Sequence, residues 1–284
     1  MSDANADPTA LTALTVAQAL AQARTCGVDR LDAHLLLGHV LGRSRTWLLS
    51  HDTDLLAPEA QARYLALLAR RAEGEPAAYL LGDKEFFGLN LRVTPDTLIP
   101  RPDTETLVHW ALEHLPADQP RRVLDLGTGS GAIALALAHE RPLAEVTAVD
   151  ASPGALQVAL DNASALGLRL RGLLGSWFTP VAGERFDLIV SNPPYIAEGD
   201  PHMAALRFEP ETALTAGPDG LDDLRQIIDQ APHHLAPGGW LLLEHGFDQA
   251  NAVMQLLQNR GFLEVSTRFD LGPQARCTGG RLPT

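Results

Sequence analysis

Residues 121–138 constrain this chain more than any other stretch. They read Arg-Arg-Val-Leu-Asp-Leu, then Gly127-Thr128-Gly129-Ser130-Gly131, then Ala-Ile-Ala-Leu-Ala-Leu-Ala. A short apolar run ending in a glycine cluster is a buried strand, and the second apolar run has the composition of a buried helix. Strand, glycine turn and helix in succession open a nucleotide-binding α/β fold. A second strand over 145–149 ends in Asp150, 21 positions after Gly129, where a carboxylate can accept from both hydroxyls of a ribose. Gly127, Gly129 and Ala132 also satisfy the dinucleotide pattern with Ala in its last slot. Taken alone, the glycine loop fits NAD and S-adenosylmethionine equally well.

A second segment breaks the tie. Phe-Asp-Leu-Ile-Val-Ser over 186–191 is a fourth strand, and it runs into Asn192-Pro193-Pro194-Tyr195. Asn192 offers a side-chain carbonyl. Pro193 and Pro194 have fixed φ and no N–H, so the backbone stays extended and mainly presents carbonyls. Tyr195 supplies a flat face for stacking. Two acceptors and a face suit a planar amino group whose N–H bonds are gripped and whose lone pair is aimed at an electrophile. A hydride-transfer enzyme has no evident use for this arrangement.

Together the two motifs resemble the class I S-adenosylmethionine-dependent methyltransferases that act on planar nitrogens. Three further segments narrow the resemblance. Leu98-Ile99-Pro100-Arg101-Pro102-Asp103-Thr104-Glu105 is similar to the signature of the glutamine methyltransferases of peptide-chain release factors, the PrmC/HemK family. Glu75-Pro76-Ala77-Ala78-Tyr79-Leu80-Leu81-Gly82 with Phe86-Phe87-Gly88 resembles that family's interdomain region. Glu209-Pro210, Ala213-Leu214 and residues 217–221 match a later block. The likeness extends over residues 15–284. Sister enzymes acting on a large-subunit ribosomal protein usually carry Ser-Pro where this chain has Pro102-Asp103, which favours the release-factor branch.

The resemblance implies a Rossmann-like, seven-stranded, mostly parallel sheet with a small N-terminal helical bundle. It also implies methyl transfer from S-adenosylmethionine, leaving S-adenosylhomocysteine and using no metal. The acceptor would be the glutamine nitrogen of the Gly-Gly-Gln motif in class-1 release factors. Asn192 and Pro193 are the expected catalytic groups. Gly127, Thr128, Gly129, Ser130, Gly131, Asp150, Trp177 and Asn192 are expected at the cofactor, and Asn192, Pro193, Pro194 and Tyr195 at the substrate. The family often carries Asp directly before the aromatic at Trp177, and this chain has Ser176, which leaves the usual carboxylate contact to the adenine amino group without its residue. Arg101, Glu105 and Glu209 lie in family-like motifs but fit structural ion pairs as well as substrate contacts. Asp125 fits either a contact to the cofactor's amino group or a loop cap. Alternative acceptors are a ribosomal-protein glutamine or an exocyclic amino group of a nucleic acid. An alternative of another class is a non-catalytic, cofactor-binding assembly factor.

Composition sets outer bounds. The formal net charge is −13, and 24 acidic against 13 basic side chains lie beyond position 95. Nucleic-acid enzymes usually show a basic footprint, so direct nucleic-acid binding is not expected. No apolar run approaches membrane-spanning length, and the first ten residues lack the features of a signal peptide. Cys26 and Cys277 read as reduced thiols, so a cytoplasmic location follows.

The organisation reads as a tail over 1–14, a helical substrate-recognition domain over 15–74, a linker and hairpin over 75–97, and a methyltransferase domain over 98–284. Thr15 and Asp29 are expected to cap the first two helices. Leu31, Leu35, Leu36, Val40 and Leu41 are expected to form the apolar face of the second. His34, His39, His233 and His234 read as solvated side chains, the last two following a helix.

Overall fold

The structure, a computed structural model, describes residues 12–284. Most of the tail read over 1–14 therefore lies outside the described residues. The chain divides into two compact units at the Gly82/Asp83 junction.

The first unit is helical: α1 (Val16–Thr25), α2 (Arg30–Leu41), α3 (Arg45–Ser50), α4 (Pro58–Ala72) and α5 (Ala77–Leu81). Thr15 and Gln18 form a reciprocal capping box on α1, and Asp29 accepts from the N–H groups of Leu31 and Asp32 at the start of α2. Such caps contribute about 1 kcal/mol each. Residues 12–14 are held by Gln61, which donates to the Thr12 carbonyl and accepts from Leu14 N–H. The core joins Val16, Leu36, Leu37, Leu48, Tyr64 and Leu68. The apolar face of α2 differs from expectation. Ala33, Leu36, Leu37 and Val40 are buried, whereas Leu31 and Leu35 are exposed. This helix is apolar nearly all round, so packing against α1 and α4 selects the face. His34 is not solvated either; it is buried, with Nδ1 2.6 Å from the Arg30 carbonyl oxygen. The segment read as linker and hairpin is divided between the units, because α5 packs with α2 and α4.

The second unit begins with the hairpin β1 (Asp83–Phe86) and β2 (Leu89–Arg92). It continues with α6 (Glu105–Glu113), β3 (Arg122–Leu126), α7 (Ala132–Glu140), β4 (Glu145–Asp150), α8 (Pro153–Leu166), β5 (Arg171–Leu174) and β6 (Phe186–Ser191). It closes with α9 (Asp222–His234), β7 (Leu235–Glu244), α10 (Ala250–Asn259), β8 (Leu263–Phe269) and β9 (Ala275–Arg281). Seven strands form one sheet in the order β5-β4-β3-β6-β7-β9-β8. The first five are mutually parallel, and β9 runs antiparallel to both its neighbours.

Alternation along the central strands builds two cores. Val123, Leu188, Val190 and Leu242 face α6 and α7, while Leu124, Leu126, Ile189, Leu241 and Leu243 face α9 and α10. All seven residues from Ala132 to Ala138 are buried, as a helix covering the sheet centre requires. β7 starts at Leu235, with a register shift opposite residues 186–188. One boundary differs from the sequence reading. His233 and His234 close α9 instead of following it, and His234 stacks on Phe178 at 4.5 Å.

The strand order positions the site. From β3 the chain winds outward through β4 to β5, then returns to the other side of β3 as β6. A crevice opens at such a reversal, beyond the carboxyl ends of the strands. Both sequence motifs lie at those ends.

Candidate active site

A cavity of about 260 Å³ lies at the reversal point. Its walls include Gly127, Thr128, Gly129 and Ser130 after β3, Asp150 after β4, Ser176 and Trp177 after β5, and Asn192 and Pro194 after β6. Register accounts for the convergence. Leu126 at the end of β3 pairs with Ser191 at the end of β6, and the Ser191 hydroxyl donates to the Leu126 carbonyl at 2.7 Å. The glycine turn and Asn192 are therefore the next residues on adjacent strands.

The turn is held from beneath. Gly127 and Thr128 donate their N–H groups to the Val149 carbonyl at 2.9 and 3.1 Å. Gly127, Gly129 and Gly131 have φ of 70°, 57° and 84°, a region that glycine enters without steric cost. Gly131 does not line the cavity. A Cβ there would stand 3.2 Å from Ala159 Cβ, so this glycine lets α7 pack closely on α8. Asp125 is likewise absent from the lining. It is fully buried and accepts from the Thr128 hydroxyl at 2.7 Å, which makes it an anchor for the turn. Burial pushes its pKa up to about 7, opposed first by the Thr128 hydrogen bond. The fold thus favours its neutral form, a contribution fully present at low pH and lost as pH rises through about 7.

Asp150 accepts from Gly129 N–H on Oδ2 and from Ser152 N–H on Oδ1, both at 2.8 Å, with the Ala151 N–H also facing the carboxylate. A carboxylate has about four lone-pair sites, so acceptor capacity remains for a ligand. Burial raises the Asp150 pKa, and these backbone bonds oppose the shift. Trp177 stands over the turn, since a Cβ at Gly127 would meet its ring at 3.5 Å. Its φ of 45° is unusual for a bulky residue and stores about 1–3 kcal/mol of strain, as backbone at ligand clamps often does.

Asn192 donates Nδ2–H to Thr104 Oγ1 at 3.4 Å. Pro193 is buried and outside the lining, while Pro194 borders the cavity. Tyr195 is not among the residues lining the cavity; its partly buried ring packs against the second core, and its hydroxyl donates to Glu244 Oε1 at 3.3 Å.

Backbone bonds fix the chain on either side of Tyr195. Tyr195 and Ile196 donate to the Leu214 carbonyl, and Gln249 Nε2 donates to the Tyr195 carbonyl at 3.0 Å. Gly220, at φ 71°, presses on that same carbonyl, and a Cβ there would lie 2.2 Å from it. Gly220→Ala is expected to destabilise the protein by about 1–3 kcal/mol more than Gly261→Ala, by forcing this backbone apart. Gly261 also has positive φ but open space around it. Urea unfolding of the two variants checks this, and equal losses would disprove the contact's importance.

The ambiguous motif residues make structural ties, and Arg101 also lines the cavity. Glu209 is buried, accepts from Ile99 N–H at 3.1 Å and pairs with Arg101. It ties the loop ahead of α6 to the segment after β6. Glu105 accepts from Phe87 N–H at 3.2 Å, joining the hairpin to α6. Sequence reasoning missed Asp223, on the first turn of α9. It lines the cavity and hydrogen-bonds Trp177, and burial raises its pKa. Its only local signal is the pair Asp222-Asp223, which any helix start can carry.

Comparison with known proteins fits this geometry. Residues 12–82 match the PrmC N-terminal domain, and residues 104–211 match the methyltransferase small domain. A release factor glutamine methyltransferase of Bordetella pertussis is 54% identical, over 90% of this chain and 96% of its own length. The enzymes of that name from Xylella fastidiosa strain Temecula1 and Escherichia coli K12 are 52% and 49% identical, each over 93% of this chain and 98% and 96% of their own lengths. The chain belongs to the release factor glutamine methyltransferase family. Solved structures support the fold at greater distance. A Pyrococcus furiosus methyltransferase has a TM-score of 0.55 at 20% identity, over 80% of this chain and 100% of its own. A Thermus thermophilus 16S rRNA N2 G1207 methyltransferase, solved with AdoMet and guanosine, has a TM-score of 0.54 at 22% identity, over 70% of this chain and 49% of its own. No helix among the described residues is long and apolar enough to cross a membrane.

Proposed function

We propose that this chain methylates the side-chain nitrogen of a release-factor glutamine, that of the Gly-Gly-Gln motif in class-1 factors, with S-adenosylmethionine as donor. The observation that carries the reading is the juxtaposition of Asn192 with the glycine turn, one residue beyond the Leu126–Ser191 pair. Family membership supports the acceptor. A cytoplasmic site of action follows from such a substrate. The helices of the first unit are proposed to recognise the protein substrate.

The residues present fit the cofactor. Asp150 keeps acceptor capacity, Trp177 supplies a flat wall, and the glycine turn leaves room for a ligand beside backbone. Asp223 takes the part left open by Ser176: a half-buried carboxylate beside the Trp177 ring, suited to accept from an adenine amino group. Asp223→Asn is expected to weaken cofactor affinity about tenfold, the range of one hydrogen bond to a charged group. Since burial raises the Asp223 pKa, the acceptor is lost as pH falls through that raised value, so wild-type affinity weakens at acid pH. Titration calorimetry on both proteins across pH checks the magnitude and the sign.

When bound, S-adenosylmethionine supplies an electrophilic methyl group on a sulfonium. A carboxamide nitrogen is a poor nucleophile, because its lone pair is delocalised into the carbonyl. The chain's contribution is alignment, which in favourable systems lowers a barrier by about 7–11 kcal/mol. As the nitrogen shares its lone pair with the methyl carbon, its two N–H bonds become stronger donors. Asn192 Oδ1 and the Pro193 carbonyl accept them, more strongly in the transition state than before it. An amide acceptor orients a neutral substrate without burying a net charge. The displaced electron pair stays on sulfur, and the nitrogen then releases a proton to water.

Intact-mass and peptide-mapping spectrometry on folded release factor, incubated with this protein and S-adenosylmethionine, tests the reading. One added methylene on the Gly-Gly-Gln glutamine supports it. No addition, with cofactor binding demonstrated, rejects it.

A further inference from the structure

Asn192 can serve the acceptor nitrogen only if its oxygen, not its NH2 group, faces the cavity. The two ends of a carboxamide have nearly the same shape, so a neighbouring group must decide between them. That neighbour is Thr104, whose Oγ1 lies 3.4 Å from Asn192 Nδ2. A hydroxyl can donate as well as accept, so Thr104 alone does not settle the direction. Its own hydrogen must first be committed elsewhere.

Beside Thr104 stands Glu244, at the end of β7 and 1% exposed. Its Oε1 accepts from the Tyr195 hydroxyl at 3.3 Å. Its Oε2 is buried without a well-formed hydrogen bond, and the Thr104 hydroxyl beside the carboxyl is the donor that can serve it. We propose that Glu244 is a positioning residue: its carboxylate takes the Thr104 hydrogen, turns the Thr104 lone pair to Asn192 Nδ2, and so holds Asn192 Oδ1 towards the acceptor nitrogen. The inference rests on the proposed role of Asn192.

Ionisation of Glu244 sets the direction of the chain. As a carboxylate it can only accept. Once protonated it donates, Thr104 is free to turn its hydrogen on Asn192, and the amide flips to present NH2 to a group that is itself a donor. The groups facing Glu244 are the Tyr195 and Thr104 hydroxyls, Asp103 ahead of α6, and Arg276 and Cys277 on β9. Burial dominates and pushes the Glu244 pKa up to about 7, with Thr104, Arg276 and Tyr195 opposing it. The switch therefore falls near neutrality, with activity on the alkaline side.

The test follows kcat against pH at saturating cofactor, for wild type, Glu244→Gln, Thr104→Val and Thr104→Ser. The wild-type kcat is expected to fall as pH drops through about 7 and to level off about tenfold lower. Glu244→Gln is expected to lose that limb and about tenfold in kcat at pH 8, with cofactor affinity unchanged, the scale of one misdirected hydrogen bond. Thr104→Val should match it, Thr104→Ser should restore kcat within about twofold, and the Glu244→Gln/Thr104→Val double variant should lose no more than Thr104→Val alone. An acid limb unchanged in Glu244→Gln, or additive losses in the double variant, overturns the proposal. Near-wild-type turnover by Asn192→Ala would instead reject the underlying reading of the site.

Discussion

Asn192→Ala is expected to lower kcat by about 10²–10³-fold, the usual loss when one oriented transition-state hydrogen bond is removed. Cofactor affinity should change little, because the turn, Asp150 and Trp177 remain. The fold should also survive, since Asn192 is half-buried and its side-chain bond is the long, 3.4 Å contact to Thr104. Asn192→Asp tests the chemistry more finely. It retains an acceptor but places a net charge beside a neutral amide, where desolvation opposes it. Single-turnover rates with cofactor prebound separate transfer from binding. A rate within a few-fold of wild type for the alanine variant would remove Asn192 from the mechanism.

Asp150→Ala is expected to weaken cofactor binding by about 10²-fold, with a smaller effect on the rate from the saturated complex. Losing hydrogen bonds to a charged acceptor costs about 1.5–3 kcal/mol each. On the proposed reading Asp150 accepts from ribose hydroxyls, while its existing bonds brace Gly129 and Ser152. The substitution thus removes ligand contacts and leaves two backbone N–H groups without their acceptor. Asp150→Asn keeps one oxygen and should fall between the two proteins. Calorimetric affinities for all three check the order. A Kd unchanged in Asp150→Ala would mean that the cofactor binds elsewhere in the cavity.

Local signals make the centre of the candidate site legible in the sequence. The strand, glycine turn and helix are contiguous, as are Asn192 and its two prolines, and each carries its own backbone chemistry. Side chains that converge only in three dimensions were not legible. Glu244 reaches Tyr195 across 49 positions, and Asn192 reaches Thr104 across 88. Thr104 lies inside the Leu98–Glu105 signature without being singled out there, and nothing in the sequence around Asp223 marks it as part of a cavity wall. The same holds for Tyr195, whose partly buried ring packs against the second core and whose hydroxyl reaches Glu244. In the first unit, α2 is too evenly apolar for spacing to select a face, so Leu31 and Leu35 emerged exposed. β5 carries little alternation because it closes the edge of the sheet, and only the order of its neighbours implies it.

Pairing the glycine turn with Asn192 on adjacent strands has a consequence for fidelity. On the proposed reading, the groups that act on the acceptor nitrogen are fixed by the sheet before any polypeptide arrives. They contact one carboxamide and nothing that distinguishes one glutamine from another. A glutamine delivered in error would be modified as readily as the intended one. Accuracy then belongs to delivery: whatever grips the incoming protein must act as gatekeeper, because the chemistry behind the gate is indifferent to who enters.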